Sequence, residues 1–367
     1  MYIVTNRKLY EKRKGLDIFG KKPAEKKPNS NGHNELRLLK ADKKGKGFQV
    51  SVLDEKLTKQ EVVGLKNRHN LKIDEELNYY ASLQVACEIF EKATENETPI
   101  VCYVHGYNND VSDVLDTAAN IEKTYKVIVI IFTWPANGGG KLSGAAAYLS
   151  DKRDARASAG ALERFIGKLH DYHQLLTDSM RAEMKKKALA KAGGNEQRYR
   201  SLYGELLEGQ CTVPITLACH SMGNYVLKHS LASTESAVRQ LVFDNVLLLA
   251  ADTNNEKHED WANALQVRNR QYAVINEKDF ALGWSRRKPG EEQLARLGHY
   301  LFNLTAKRTI YVDVTGAKGV GSSHGYFCGR AVEENKTLRD LFNKIFRGGS
   351  IESELQYRTE INAYRIP

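Results

Sequence analysis

Residues Val213 to Ala232 read VPITLACHSMGNYVLKHSLA, and this stretch decides the fold. Val213 to Ala218 is a short apolar run of the kind that forms a buried strand. It leads through Cys219-His220-Ser221-Met222-Gly223 into residues of helical composition. A serine on a sharp strand-to-helix turn is lifted above the sheet, where a base reaches its hydroxyl. The same turn aims the Met222 backbone N–H at the place where an oxyanion would form. Strand and helix pack closely there, so the residues around the serine must be small. Gly223 meets that need, while Cys219 stands where the G-x-S-x-G pattern has its first glycine. A buried serine in an ordinary βα turn has similar composition. The presence of strand, turn and helix together favours a nucleophile.

Outward from this turn, strands alternate with helices. Pro99 to Val104 is a continuous buried-type strand ending in His105-Gly106, with a helix expected over about 110–124. Lys126 to Phe132 is a second such strand, ending at Trp134-Pro135 and followed by the glycine cluster Gly138 to Gly140. Ala145 to His173 reads as one long helix. Residues 174–208 read as a helical hairpin with a basic face of Arg181, Lys185, Lys186, Lys187 and Lys191. That face suits solvent, or else a lid or docking surface. Beyond the turn come strands at Leu241 to Ala250, Gln271 to Asn276 and Thr309 to Val314, and helices near 257–267, 290–303 and 335–347. Before it, residues 78–95 have helical spacing, and 8–34 read as a long basic loop. Glu35 to Ala41 and Gly47 to Leu53 alternate as an antiparallel hairpin. The pattern predicts an α/β fold, a mostly parallel sheet flanked by helices. N-terminal antiparallel strands and a helical insertion over 174–208 complete one expected domain, 1–367.

Acyl transfer by a serine needs a base, an orienting acid and donors for the oxyanion. In such a sheet the chain order is Ser, acid, His, each in a loop beyond the C-terminal end of a strand. His324 fits the base, in a Gly/Ser-rich loop after the last expected strand. His299 lies on an expected helix, His258 opens another, and His220 is too near Ser221 to turn back to its hydroxyl. Two acids fit: Asp279 after QYAVIN is the first choice, and Asp252 after LLLAA the alternative, with helix capping as its competing role. Glu277 ranks third. The second oxyanion donor is expected at the Tyr107 amide, in a loop that Gly106 frees to adopt an unusual backbone. Losing one such donor typically costs about 3 kcal/mol of transition-state stabilisation.

Composition bounds the rest. With 367 residues and 41% apolar content the chain can bury a sizeable core. Residues 1–60 carry 16 Lys/Arg against 7 Asp/Glu, and the remainder 39 against 38, so the basic character is N-terminal. Pro23, Pro28 and glycines interrupt the lysines, which points to a solvated loop rather than a nucleic-acid arm. Cys87, Cys102, Cys211, Cys219 and Cys328 form no CxxC pair and read as free thiols of a reducing compartment. Neither a signal peptide nor a spanning helix is evident, so a cytoplasmic location is expected. No HExxH or paired Cys/His spacing calls for a metal, and no cofactor is expected.

The separated motifs resemble a bacterial α/β-hydrolase family catalogued as domain of unknown function 900. They are Val4-Thr5-Asn6-Arg7, Val104 to Asn108, Phe132 to Pro135, His220 to Asn224, Ala250 to Asp252, Asp279 to Leu282 with Ser285, and His324-Gly325-Tyr326. The likeness covers roughly 95–330 and the N-terminal strand. It implies an eight-stranded-type α/β-hydrolase core with Ser221, Asp279 and His324 as triad. Cys219, Thr253 after Asp252, and the long 174–208 segment depart from the family pattern. The expected activity is a serine hydrolase of the esterase or lipase kind, with a small-molecule or lipid acyl ester as substrate. The alternatives are a lipase-type toxic effector meeting a membrane surface, and a non-catalytic hydrolase-like module that binds a partner.

Overall fold

The computed structural model describes residues 1–25, 31–45, 47–53, 56–136, 145–208, 213–232, 241–287 and 295–366. The chain divides into two compact units. One holds Met1–Val52, Pro99–Gly167 and Pro214–Pro367, the other Leu53–Thr98 and Lys168–Val213. The glycine cluster 138–140 and Cys211 lie outside the described residues.

The larger unit begins with β1 (Tyr2–Thr5), β2 (Arg7–Leu9), β3 (Phe19–Pro23), β4 (Arg37–Lys44) and β5 (Gly47–Val52). Helices α1 (Lys59–His69) and α2 (Ala81–Glu95) belong to the smaller unit. Then follow β6 (Ile100–Val104), α3 (Val111–Tyr125), β7 (Ile128–Thr133), α4 (Ala145–Ala157), α5 (Ala159–Ala192) and α6 (Glu196–Glu208). After them come β8 (Ile215–His220), α7 (Gly223–Ser230), β9 (Asn245–Leu249), α8 (Glu259–Ala262), β10 (Arg270–Ile275) and α9 (Phe280–Ser285). The chain finishes with β11 (Thr309–Asp313), α10 (Arg330–Glu334), α11 (Lys336–Phe346), β12 (Gln356–Arg358) and β13 (Ala363–Arg365).

The main sheet has the order β12-β13-β11-β10-β9-β8-β6-β7-β1-β4-β5. Its eight strands from β13 to β1 run parallel, with antiparallel β12 at one edge and the β4–β5 hairpin at the other. The central strands β6, β8 and β9 are buried along their whole length, as continuous apolar runs require in a sheet covered on both faces. Helix α3 shows why such runs alternate with helices. Asp110 and Asp113 form a capping box at its start. Val114, Leu115, Ala118 and Ile121 are buried at helical spacing, and Lys126 closes the helix at φ +53°. Each fully buried Leu or Ile of this face contributes about 1.5–3 kcal/mol. Strand β6 connects to β7 on one side and β8 lies on its other side. The strand order therefore reverses between β6 and β8, where ligands bind in open α/β sheets.

Several expectations are corrected. The 8–34 loop contains strands β2 and β3, which pair antiparallel with Arg7 opposite Pro23 and Leu9 opposite Phe19. Pro23 ends the pairing, and Phe19 is buried. The helix expected from 145 to 173 is broken at Ser158, whose hydroxyl donates to the Asp154 carbonyl at 2.7 Å and accepts from Asn6 at 2.9 Å. The helix near 257–267 shrinks to α8. The helix expected near 290–303 is replaced, in its described part, by a bridge from Arg296 to Asn254 and a single 3-10 turn, Leu297–His299. The cause is close packing: a Cβ on Gly298 would stand 2.3 Å from the Ala251 nitrogen. Strand β13, which extends the parallel run beyond β11, gave no signal in the sequence.

In the smaller unit, Thr58 and Glu61 cap α1 reciprocally, and Leu71, Leu83, Cys87 and Leu176 form its apolar cluster. Helices α5 and α6 flank Gly193-Gly194, both at positive φ, as the hairpin reading expects. Arg181, Lys185, Lys186, Lys187 and Lys191 are all exposed.

Candidate active site

Ser221 sits at the turn between β8 and α7 with φ +53°. A non-glycine residue in the left-handed region is strained, and neighbours hold it there. Its N–H donates to the Leu249 carbonyl at 2.9 Å. The Asn224 amide spans the turn, donating to the carbonyls of Cys219, Ser221 and Leu249 at 2.8, 3.1 and 3.2 Å. A Cβ on Gly223 would lie 2.6 Å from the Val104 carbonyl oxygen, so that position admits no side chain. Cys219 needs no such exception. It is an interior residue of β8, fully buried, and burial pushes its thiol far up. Cys87, Cys102 and Cys328 are likewise free thiols.

Gly106, at the end of β6, packs directly on the serine: an added Cβ would stand 2.7 Å from Ser221 Cβ and 3.2 Å from its Oγ. The Gly106 carbonyl accepts from His105 Nδ1 at 2.9 Å. Because the peptide is planar and trans, the Tyr107 N–H then points away from the buried imidazole. The Met222 N–H has no acceptor among the described residues.

His105 is itself the end of a relay that composition does not reveal. Its Nε2 lies 2.9 Å from Thr133 Oγ1 and accepts from the Trp134 N–H at 3.2 Å. With Nδ1 donating to a carbonyl, Nε2 is bare and the ring neutral. Burial depresses this imidazole to about 3, and the Arg7 charge adds to the effect. Arg7 Nε donates to Thr133 Oγ1 at 3.2 Å. The Arg7 guanidinium also reaches the carbonyls of Asn109 and Ala136, tying the loop after β6 to the loop after β7. Burial lowers Arg7 to about 10 against the opposing pull of Asp151, Asp110 and Asp154, so it stays charged at neutral pH. Arg7, His105 and Thr133 were quoted in the sequence motifs without a role. The one available signal is an arginine two residues beyond the last residue of β1.

His324 and Asp279 meet. His324 Nδ1 lies 2.7 Å from Asp279 Oδ2, with the carboxylate fully buried and the imidazole a quarter exposed. Asp279 also caps α9, accepting the Leu282 N–H at 3.0 Å. The histidine loop is clamped by Asn276, whose amide donates to the carbonyls of Gly321 and Ser323. Tyr326, two residues on, is buried, donating to the Val274 carbonyl and accepting from the Ala250 N–H, both at 2.8 Å.

His220 packs beside the turn, as expected. Its Nε2 is 3.0 Å from the His324 carbonyl oxygen, and the two rings lie 4.6 Å apart. The residue before the serine thus holds the backbone of the histidine. Burial keeps the His220 imidazole far below its ordinary range, with His324 adding a smaller effect. Among the described residues no hydrogen bond joins Ser221 Oγ to His324, a contact that often forms only with substrate bound.

The other candidates stand apart. Asp252 faces Arg296 at 3.1 Å and accepts from Tyr148 and Ser285, deep in a buried cluster with no histidine. Its backbone N–H still donates to the Ser221 carbonyl at 3.2 Å. Glu277 is exposed and accepts the Leu301 N–H. His258 stands at the N-terminal end of α8 without a side-chain cap and bonds the Asn255 carbonyl, and His299 packs near Gly283. A cavity of about 540 Å³ beside Lys228 and Trp261 lies at the opposite end of α7 from Ser221. Among the described residues no group of His, Cys, Asp and Glu is placed to hold a metal ion. No described helix is long and apolar enough to cross a membrane.

The parallel sheet, its strand order and the turn after β8 define an α/β-hydrolase fold. Residues 85–189 match the family described as alpha/beta hydrolase of unknown function (DUF900), the family that the motifs resemble. The matched segment contains β6, β7 and the Tyr107 loop, and ends before Ser221. Neither the curated proteins nor the solved structures contain a match to the chain.

Proposed function

We propose that the protein is a serine hydrolase that cleaves a carboxylic ester or related acyl bond. The observation that carries this reading is the 2.7 Å contact between His324 Nδ1 and the buried carboxylate of Asp279. A carboxylate on Nδ1 fixes the tautomer that leaves Nε2 free to accept a proton, which is what a general base for Ser221 needs. Ser221 Oγ attacks the acyl carbon while its proton passes to His324. The carbonyl oxygen becomes an oxyanion facing the N–H groups of Met222 and Tyr107. Collapse expels the alcohol, which takes the proton from His324 and leaves an acyl-enzyme. Water activated by the same imidazole then releases the acid and restores Ser221. No step requires a cofactor.

Labelling with a fluorophosphonate probe tests the proposal. Wild type should label and Ser221→Ala should not, with both variants melting alike. Equal labelling of the two, or none of the folded wild type, sinks the proposal and leaves a non-catalytic hydrolase-like module.

A further inference from the structure

Helix α9 opens directly at Asp279 and carries a second feature on its outer side. Phe280 and Trp284, one helical turn apart, are 67% and 50% exposed, with ring centroids 6.1 Å apart. Large apolar side chains with half or more of their surface in water are costly unless something covers them. The patch continues across Arg286, whose guanidinium lies 4.9 Å over the Tyr300 ring, to Phe302, 54% exposed and 5.1 Å from Tyr300. Arg287 lies 5.9 Å from the Trp284 ring. Exposed Lys278 adds a third cation, beside one exposed acid among the described residues of this segment, Glu277.

The patch lies at the rim of the candidate site. The Phe280 N–H donates to the Ser322 carbonyl at 3.2 Å, two residues before His324. Aromatic side chains beside an excess of cations suit an anionic lipid surface. Rings such as Trp and Phe settle at the level of lipid headgroups, with cations on neighbouring positions meeting the phosphates.

We propose that Phe280, Trp284, Tyr300 and Phe302, with Arg286 and Arg287, dock on an anionic phospholipid surface and present Ser221 to acyl chains leaving that surface. This deepens the hydrolase reading and rests on it for the substrate class, while the docking itself does not. Cationic partners near a negative surface each contribute enough to make the two arginines together worth roughly 30-fold in partitioning.

The tryptophans supply the probe. Trp134 and Trp261 are buried and Trp284 is half exposed, so lipid contact registers at Trp284. The full chain is titrated with vesicles of phosphatidylglycerol and phosphatidylcholine, and with phosphatidylcholine alone. A blue shift of the emission is expected with the anionic vesicles, weakened by salt and absent in Trp284→Phe. The Arg286→Gln/Arg287→Gln double variant should partition roughly 30-fold more weakly. Phe302→Ala should also partition more weakly, with turnover of a short soluble ester unchanged in each of these variants. Three results overturn the proposal: no shift with anionic vesicles, a shift that survives Trp284→Phe, or an already shifted emission in a chain that sediments as a dimer. The last outcome means that a second copy covers the patch. Absence of fluorophosphonate labelling together with a Trp284 shift would reject the hydrolase reading and keep the surface.

Discussion

Two aspartates stand beyond the ends of neighbouring strands, Asp252 after β9 and Asp279 after β10, and their surroundings differ completely. Asp279 has one oxygen on a helix N-terminus and the other on a partly open imidazole. Asp252 is enclosed with Arg296, which is 2% exposed, and with the hydroxyls of Tyr148 and Ser285. A carboxylate facing a histidine can steer a proton. One facing a permanently charged guanidinium has its charge cancelled and serves the packing. The contrast shows that position at a strand end makes an acid available, and that the opposing side chain decides what it does.

The sharpest way to break this contrast is Asp279→Asn. Asparagine keeps the cap on α9 but no longer fixes the His324 tautomer. Turnover of a soluble ester should fall roughly 10³–10⁴-fold, with little change in melting temperature. If Asp252→Asn gives the larger loss of turnover at unchanged stability, the assignment of the two acids is reversed. The expected effect of Asp252→Asn is instead on the fold, because Arg296 keeps a buried charge without its counter-ion. Denaturant titration should show a loss of about 3–5 kcal/mol. Replacing Arg296 with methionine in the same chain should recover much of that loss.

The last effect concerns acid. His105 is held at about 3 in the fold, below its ordinary value of 6.5, and His220 is also held low. Between those values the unfolded chain binds protons that the folded chain refuses. Stability is therefore full above about pH 6.5 and falls as the pH drops, by about 1.4 kcal/mol per pH unit for each such group. Melting curves at pH 7.5, 6.0 and 5.0 check the sign, and a flat series contradicts it.

The legible part of the molecule was the part with repeating pattern. Apolar runs such as Val101 to Val104 and Leu247 to Leu249 announce strands because both sheet faces are covered. Spacing announces α3 and α11 for the same reason, through the buried faces that begin at Val111 and Leu338. Chain order places Ser221, Asp279 and His324 beyond the ends of β8, β10 and β11. Long-range contacts of single residues left no such trace. The Arg296 bridge replaces an expected helix because Gly298 presses on Ala251, a contact between residues far apart in sequence. The choice between Asp252 and Asp279 stayed open because strand ends alone do not name the partner. The relay from Arg7 to the Gly106 peptide crosses three strands and has no periodicity.

That relay has a consequence for the time at which the site exists. Arg7 leaves the ribosome ahead of its partners at Asn109, Thr133 and Ala136, which follow more than a hundred residues later. Asn276 and His324, joined through the clamped loop, come later still. Contacts of such separation form slowly, because long loops must close before any gain is felt. A nascent chain therefore carries Ser221 well before it carries His324, and under the proposed mechanism the serine has no base until synthesis has passed Tyr326.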